Sequence, residues 1–561
     1  MPEGLIEMAH RSLVRVVCLA LGVVAVAAWG QTSRVTFTDV TEQAGIDFRY
    51  TFGDFTMDNI LESSGSGVTV FDYDGDGDLD LYMLNGTYLE DISDPKGRVF
   101  RDTPDRLYRN NGDGTFTEVS KEAGVDDRHW SMAVGALDYD GDGDVDLYVL
   151  NYGPNVFYRN NGDGTFTEVA DSLRLRGPET LNGFTKWSVG VAFWDYDLDG
   201  DVDLIVGNFL AFDPYYLSPK TPHLMPHPSE YRGQASLLYR QESDGAFTDV
   251  TREAGLYYPD SKCMGLTLFD YDGDGDLDLF QANDHQRNFL FRSEGKGRFR
   301  EVGEASGVAV NDEGVPAGSM HGSIGDVDGD GLVDILVVDL EHSALYRNLG
   351  EGLFEDITER SGLKGVFKGI GGWGAALFDF DNDGDLDIFS ANGLGDVLVD
   401  QPPLLMENDG TGHFRNVGPE RGAYFQGKRS GRGAAIWDFD NDGDRDIIVS
   451  HIDLRATAAL LRNDGGNQNH WLGLTLVGAG GPASAIGAKV TVQAGGRRQV
   501  AVHQWATTYL SQNDPRMHFG LGGQDRVERL EIRWPDGRVE AFRNLAADRY
   551  LKVVQGRGIR K

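Results

Sequence analysis

The segment Asp72-Tyr73-Asp74-Gly75-Asp76-Gly77-Asp78-Leu79-Asp80 decides the reading of this chain, because its pattern returns six more times. The form D-x-D-x-D-G-x-x-D begins again at Asp138, Asp195, Asp270, Asp326, Asp379 and Asp438, at intervals of 66, 57, 75, 56, 53 and 59 residues. Repetition on that scale marks supersecondary units that stack on one another. After each copy comes a short apolar run such as Leu81-Tyr82-Met83-Leu84 or Leu147-Tyr148-Val149-Leu150. These runs lack a helical period and read as strands. With 75 Gly in 561 residues, many of them in Asn-Gly and Asp-Gly pairs, the chain suits short strands and tight turns.

The loops carry metal chemistry. Hard divalent cations take about six to eight oxygen ligands, and carboxylates at alternate positions turn inward together where Gly permits a sharp bend. In the first copy Asp72, Asp74, Asp76 and Asp80 offer side-chain oxygens, Asp78 its backbone carbonyl and Gly77 the bend. The corresponding sets are Asp138, Asp140, Asp142, Asp144 and Asp146, then Asp195, Asp197, Asp199, Asp201 and Asp203, then Asp270, Asp272, Asp274, Asp276 and Asp278. The last three are Asp326, Asp328, Asp330, Leu332 and Asp334, then Asp379, Asp381, Asp383, Asp385 and Asp387, then Asp438, Asp440, Asp442, Asp444 and Asp446. No Cys or His stands in any loop, which disfavours soft metals, and Mg²⁺ resists an all-protein oxygen cage. Calcium, up to seven ions, is the expected cofactor.

An EF-hand begins similarly but needs a bidentate Glu at its twelfth position, where these copies have Met83, Val149, Val206, Gln281, Val337, Ser390 and Val449. A nonapeptide β-helix fails on period. The spacing instead fits four strands per unit, so the expected fold is all-β: a seven-bladed β-propeller with calcium loops, followed by a small β-rich domain. The alternative of acidic surface turns without metal meets a charge argument. The loops hold 34 Asp, without which the net charge of −38 would be −4. Carboxylates packed that closely repel unless a cation lies among them.

Two further segments recur. One is the hairpin Leu107-Tyr108-Arg109-Asn110-Asn111-Gly112-Asp113-Gly114-Thr115-Phe116, repeated nearly verbatim from Phe157 to Phe166. The other is Phe followed three residues on by Val or Ile, at Phe37, Phe116, Phe166, Phe247, Phe299, Phe354 and Phe414, each before a loop. After the final loop no such segment remains, so Val35-Thr36-Phe37-Thr38-Asp39-Val40 is expected to supply the last unit's missing edge strand. Together these motifs resemble the FG-GAP or VCBS repeats of integrin α-subunit propellers, over about residues 35 to 466.

From residue 467 the repeat stops, and 14 Lys and Arg stand against 7 Asp and Glu, a net of +7. Alternation at Leu472, Leu474, Leu476 and at Leu530, Ile532, Trp534 indicates strands. Asn469-His470-Trp471-Leu472, Ile486-Gly487-Ala488-Lys489-Val490, Tyr509-Leu510-Ser511-Gln512, His518-Phe519-Gly520-Leu521-Gly522 and Trp534-Pro535-Asp536-Gly537 resemble an ASPIC/UnbV domain. Val502-His503-Gln504-Trp505-Ala506 departs from the more polar, glycine-containing stretch expected there. A propeller followed by that domain resembles the cartilage acidic protein family and its bacterial relatives, which implies an extracellular or periplasmic calcium-binding protein without a defined shared chemistry. The domains expected are 31–466 for the propeller, 467–556 for the basic domain, docked on the acidic propeller, and 557–561 for a tail.

Arg11 and Arg15 precede the apolar run Val16 to Ala28, a secretory signal over 1–30 that is too short for a retained membrane span. No second apolar span occurs downstream, so the expected product is secreted. Cys263 is then a lone thiol, read as a small buried apolar residue.

Propellers bind ligands at a mouth of the central channel. The opening strands carry Trp130, Lys186, Trp187, His321, Trp373 and Arg432 near their starts, and these are expected to converge on one opening. A long insertion from Asn208 to Arg232 is expected to cover a mouth. Its His223 and His227, lacking a third partner, read as surface residues. No nucleophile elbow, metal-hydrolase motif, phosphate loop or dinucleotide fingerprint occurs. The leading reading is a module binding a protein or glycan, with no nucleic acid. The alternative is an enzyme of natural-product type with its active site at the channel mouth.

Overall fold

The computed structural model describes residues 35–96, 98–220, 225–339, 342–395, 397–481, 483–504 and 508–560. The expected signal peptide lies outside these residues, as do His223, Trp505 and Ala506. The described chain is all-β, with helices of a single turn and none long and apolar enough to cross a membrane.

Each aspartate loop joins the first two strands of a four-stranded antiparallel sheet. In the first sheet these are Val68–Phe71, Asp80–Met83, Arg106–Asn110 and Phe116–Glu118, hydrogen-bonded in that order. Five more sheets repeat it, opening on Trp130–Leu137, Ser188–Trp194, Cys263–Phe269, His321–Gly325 and Gly372–Phe378. The seventh opens on Gly431–Trp437 and takes its outer strand from the far end of the chain. Thr36–Asp39 pairs with Ala459–Asp464, Thr36 opposite Asp464 and Asp39 opposite Leu461. The expected strand exchange is therefore present, and Phe37 fills a socket between Phe380 and Phe425, with ring centroids 6.3 and 5.7 Å away.

Packing explains the residue choice. Second strands such as Asp80–Met83 are buried on both faces because each sheet lies between two others, and the residues that directly follow their aspartate are apolar. The outermost strands bury only their Phe and leave the two residues after it exposed, as at Phe116–Glu118, or half-buried at the second, as at Phe299–Glu301. The opening strand of each sheet packs on that of the next, and Gly431–Trp437 packs on Val68–Phe71.

The C-terminal residues form two further four-stranded sheets. One is ordered Met517–Gly522, His470–Val477, Arg549–Val554, Gly558–Arg560, and the other Arg497–Val502, Lys489–Ala494, Arg526–Arg533, Val539–Ala546. Leu472, Leu474, Val490, Leu530, Trp534 and Val553 unite them in one core.

Candidate metal centres and the filled axis

The loop geometry is built from its own backbone. In the first copy Gly75 N–H donates to Asp72 Oδ1 at 2.8 Å and Gly77 N–H to Asp72 Oδ2 at 3.1 Å. Gly77 has φ 95°, a left-handed bend that a residue without Cβ adopts without strain. The closing Asp80 accepts from Tyr73 N–H at 2.9 Å and Asn110 N–H at 2.8 Å. The second loop repeats all four bonds with Asp138 and Asp146. As a result three carboxylates in each of the first five loops place a ligand atom within 4.8 Å of the other two, among them Asp72, Asp74 and Asp76, and Asp270, Asp272 and Asp278. Burial pushes the carboxyls of Asp80, Asp146, Asp203, Asp278 and Asp334 up to about 8, with neighbouring carboxylates adding to the rise. A group so placed favours either a proton or a cation beside it. The oxygen-only donor set fits a hard cation such as calcium.

The loops are not equivalent. In the fifth, where Leu332 replaces an acid, Arg347 donates to both Asp328 and Asp330. The sixth and seventh face the C-terminal sheets. There Asn469 Nδ2 donates to Asp381 O at 2.8 Å, Asn467 Nδ2 to Asp442 Oδ2 at 2.9 Å and Arg516 to Asp438 O at 2.9 Å. Tyr550 OH donates to Asp438 and Arg497 to Asp385. Trp471 packs so tightly on Gly443 that a Cβ there would meet its ring at 1.9 Å.

The six residues expected at an opening are instead enclosed. Trp130, Lys186, Trp187, His321, Trp373 and Arg432 are all buried. Lys186 Nζ donates to Asn155 and Ser188, and burial lowers it to about 7. Arg432 lies 3.9 Å over the Trp373 ring and donates to Ser63 O and Leu394 O. Burial pulls it down to about 9. Tyr509 from the C-terminal region packs edge-on against Trp373, with ring centroids 5.0 Å apart. Cys263 is buried as expected, and burial pushes its thiol up to about 12.

Trp187 is covered by Tyr152, Phe209 and Phe212, whereas Trp373 and Arg432 are covered by a segment that the sequence motif did not explain. Residues 508–514 run along the opening strands of several sheets. Gln512 pairs in parallel with Thr69, and its N–H donates to Val68 O at 3.0 Å. Ile436 N–H donates to Asn513 Oδ1 at 2.8 Å, and Thr508 Oγ1 donates to Ala434 O at 2.6 Å. Gly433 is required here, since a Cβ would meet Ser66 O at 2.3 Å and Ser511 Oγ at 2.8 Å. The only sequence signal was that Tyr509-Leu510-Ser511-Gln512 sits in a β-rich module without fitting its alternation.

Space remains at the margin between the sheets. A cleft of about 580 Å³ lies among Asp326, Asp328, Asp385, Arg497, Arg498 and His518, and one of about 500 Å³ among Tyr196, Asp270, Lys296, Lys489 and Trp534.

Residues 98–149, 138–206, 231–281, 270–337 and 326–390 match the FG-GAP-like repeat family, and 478–560 match the family described as ASPIC and UnbV. The chain is 29% identical to Cartilage acidic protein 1 of Homo sapiens over 334 residues, covering 55% of this chain and 46% of the human protein. It is 30% identical to Cartilage acidic protein 1 of Xenopus tropicalis over 282 residues, 47% of this chain and 40% of the other. The match thus spans less than half the length of these relatives. Among solved structures, one of an Agrocybe aegerita lectin, titled for recognition of non-reducing terminal N-acetylglucosamine, aligns with 65% of this chain and 90% of its own. Its identity is 18% and its TM-score 0.38.

Proposed function

We propose, for a chain that belongs to the cartilage acidic protein family of FG-GAP-repeat, ASPIC/UnbV proteins, that it is an exported calcium-organised binding module. Residues 31–466 form a closed seven-bladed propeller, and 467–556 form a basic domain that locks onto its acidic loops. The observation carrying this reading is the clustering of carboxylate ligand atoms within 4.8 Å in successive loops. Closure is supported by the pairing of Thr36–Asp39 with Ala459–Asp464 and by the packing of the seventh opening strand on the first. Export rests on the apolar run Val16 to Ala28 behind Arg11 and Arg15.

The ligand is a protein or glycan. Since the axis is filled, the larger cleft is its site, where Arg497 and Arg498 adjoin the fifth and sixth loops. Burial of all six channel residues favours binding there over chemistry at the mouth. Metal analysis of the purified full chain, followed by glycan and protein binding with and without chelator, tests the reading. Bound calcium and chelator-sensitive binding that Arg498→Glu weakens are expected. A chain that takes up no calcium refutes the proposal.

A further inference from the structure

The seven repeats, aligned on their loops, depart from their shared pattern at one end of the fourth and fifth sheets. Thirteen residues after the loop start stand Asn85, Asn151, Asn208, Asn283 and Asn392, but the fifth sheet has Asp339 and the seventh His451. Five residues before the loop, six sheets carry Gly67, Ala133, Gly190, Gly265, Gly374 and Gly433, whereas the fifth has His321. Beside Asn283 stand Asp284 and His285, where the first sheet has Gly86 and Thr87 and the sixth Gly393 and Leu394. Gly318 stands where the second and third sheets carry Trp130 and Trp187.

Four of these residues, Asp284, His285, Gly318 and Asp339, meet in space. Asp284 bridges to Gly318 between the fourth and fifth sheets. A side-chain carbon on Gly318 would lie 2.9 Å from Asp339 Oδ1, 3.1 Å from Asp284 Oδ1 and 3.2 Å from His285 Nε2. Asp284 Oδ1 and His285 Nε2 are 3.6 Å apart. The His227 ring, from the insertion after the third sheet, packs on His285 with centroids 4.1 Å apart. This supplies the partner that the spacing of His223 and His227 lacked. Asp284 and Asp339 are 2% and 1% exposed, while the His285 side chain is 24% exposed and opens a route to solvent. Lys262, whose Nζ donates to Pro228 O at 2.8 Å, interacts electrostatically with Asp284. Asp339 Oδ2 accepts from His342 N–H at 3.0 Å, and neither that bond nor an ion pair of Lys262 with Asp284 accounts for the close approach of Asp284, His285 and Asp339 at Gly318.

We infer that Asp284, His285 and Asp339, with His227 beside them, hold one divalent transition metal of the zinc type, at the end of the strands opposite the aspartate loops. Mixed imidazole and carboxylate donors select borderline cations over calcium, so this centre is chemically distinct from the seven loops.

The test uses the full chain saturated with calcium, titrated with Co²⁺ by visible spectroscopy and then with Zn²⁺. One equivalent of Co²⁺ with ligand-field bands, displaced by Zn²⁺ but not by further calcium, is expected. Asp339→Asn restores the residue of five other repeats, and His285→Asn tolerates that position's φ of 46°. Each should weaken Co²⁺ binding by more than about 100-fold, beyond the cost of an outer-shell change, with calcium content unchanged. His413→Gln, an exposed histidine elsewhere, should leave binding as it was. No Co²⁺ uptake by the calcium-saturated chain overturns the inference, as does uptake that both variants retain.

Discussion

Gln512 and Ala136, 376 positions apart, hold each other through both polar groups of the side chain: Ala136 N–H donates to Oε1 at 2.8 Å, and Nε2 donates to Ala136 O at 3.2 Å. Both residues are buried. Gln512→Ala would leave two peptide groups unsatisfied, at about 1–3 kcal/mol each. The expected result is a Tm several degrees lower and easier proteolytic cutting near residue 467. An unchanged melting curve would mean that the segment 508–514 is only loosely seated.

Removal of calcium is expected to lower Tm sharply, because ions bound only to the folded state stabilise by mass action. Individual sites should bind in the weak extracellular range of about 10⁻⁴ to 10⁻³ M. Asp272→Ala should remove one ion, since the hydrogen bonds shaping the fourth loop come from its own sheet. Calorimetry that finds several ions lost with Asp272 would show the loops to be coupled.

The buried closing aspartates predict a pH signature. Their carboxyls lie at about 8 in the metal-free fold, above the unfolded value of about 3.9, so the folded state holds more protons between those limits. Metal-free stability is therefore fully present below about pH 4 in this term and declines as pH rises toward 8. Calcium competes with those protons, so its affinity should rise from pH 6 to pH 8. Calorimetry at both pH values checks the sign, and equal affinity at the two would contradict it.

Phe37 tests the junction of the chain ends. Phe37→Ala empties the socket against Phe380 and Phe425 and should cost about 3–5 kcal/mol. Deleting residues 31–46 should go further, exposing the edge of Ala459–Asp464 and promoting association. Light scattering and thermal melts read both effects. A deletion variant that stays monomeric with its Tm intact would show that this strand is dispensable.

The elements legible in the sequence are those whose physics is local. A calcium-type loop needs its carboxylates and its bend within nine residues, and the pattern from Asp72 to Asp80 carries both. The edge strand was legible by counting, since Phe37 was left over and the last repeat lacked one. The six residues from Trp130 to Arg432 lie at the strand starts or, for Lys186 and Trp187, just before one, yet their accessibility was not legible. Exposure there is decided by what packs over each strand start: Phe209 and Phe212 of the insertion cover Trp187, and Tyr509, from another module, covers Trp373. The meeting of Asp284, His285 and Asp339 at Gly318 is of the same kind. Each residue is visible as a departure from the repeat, but only the packing of one sheet on the next brings their donor atoms to a common point.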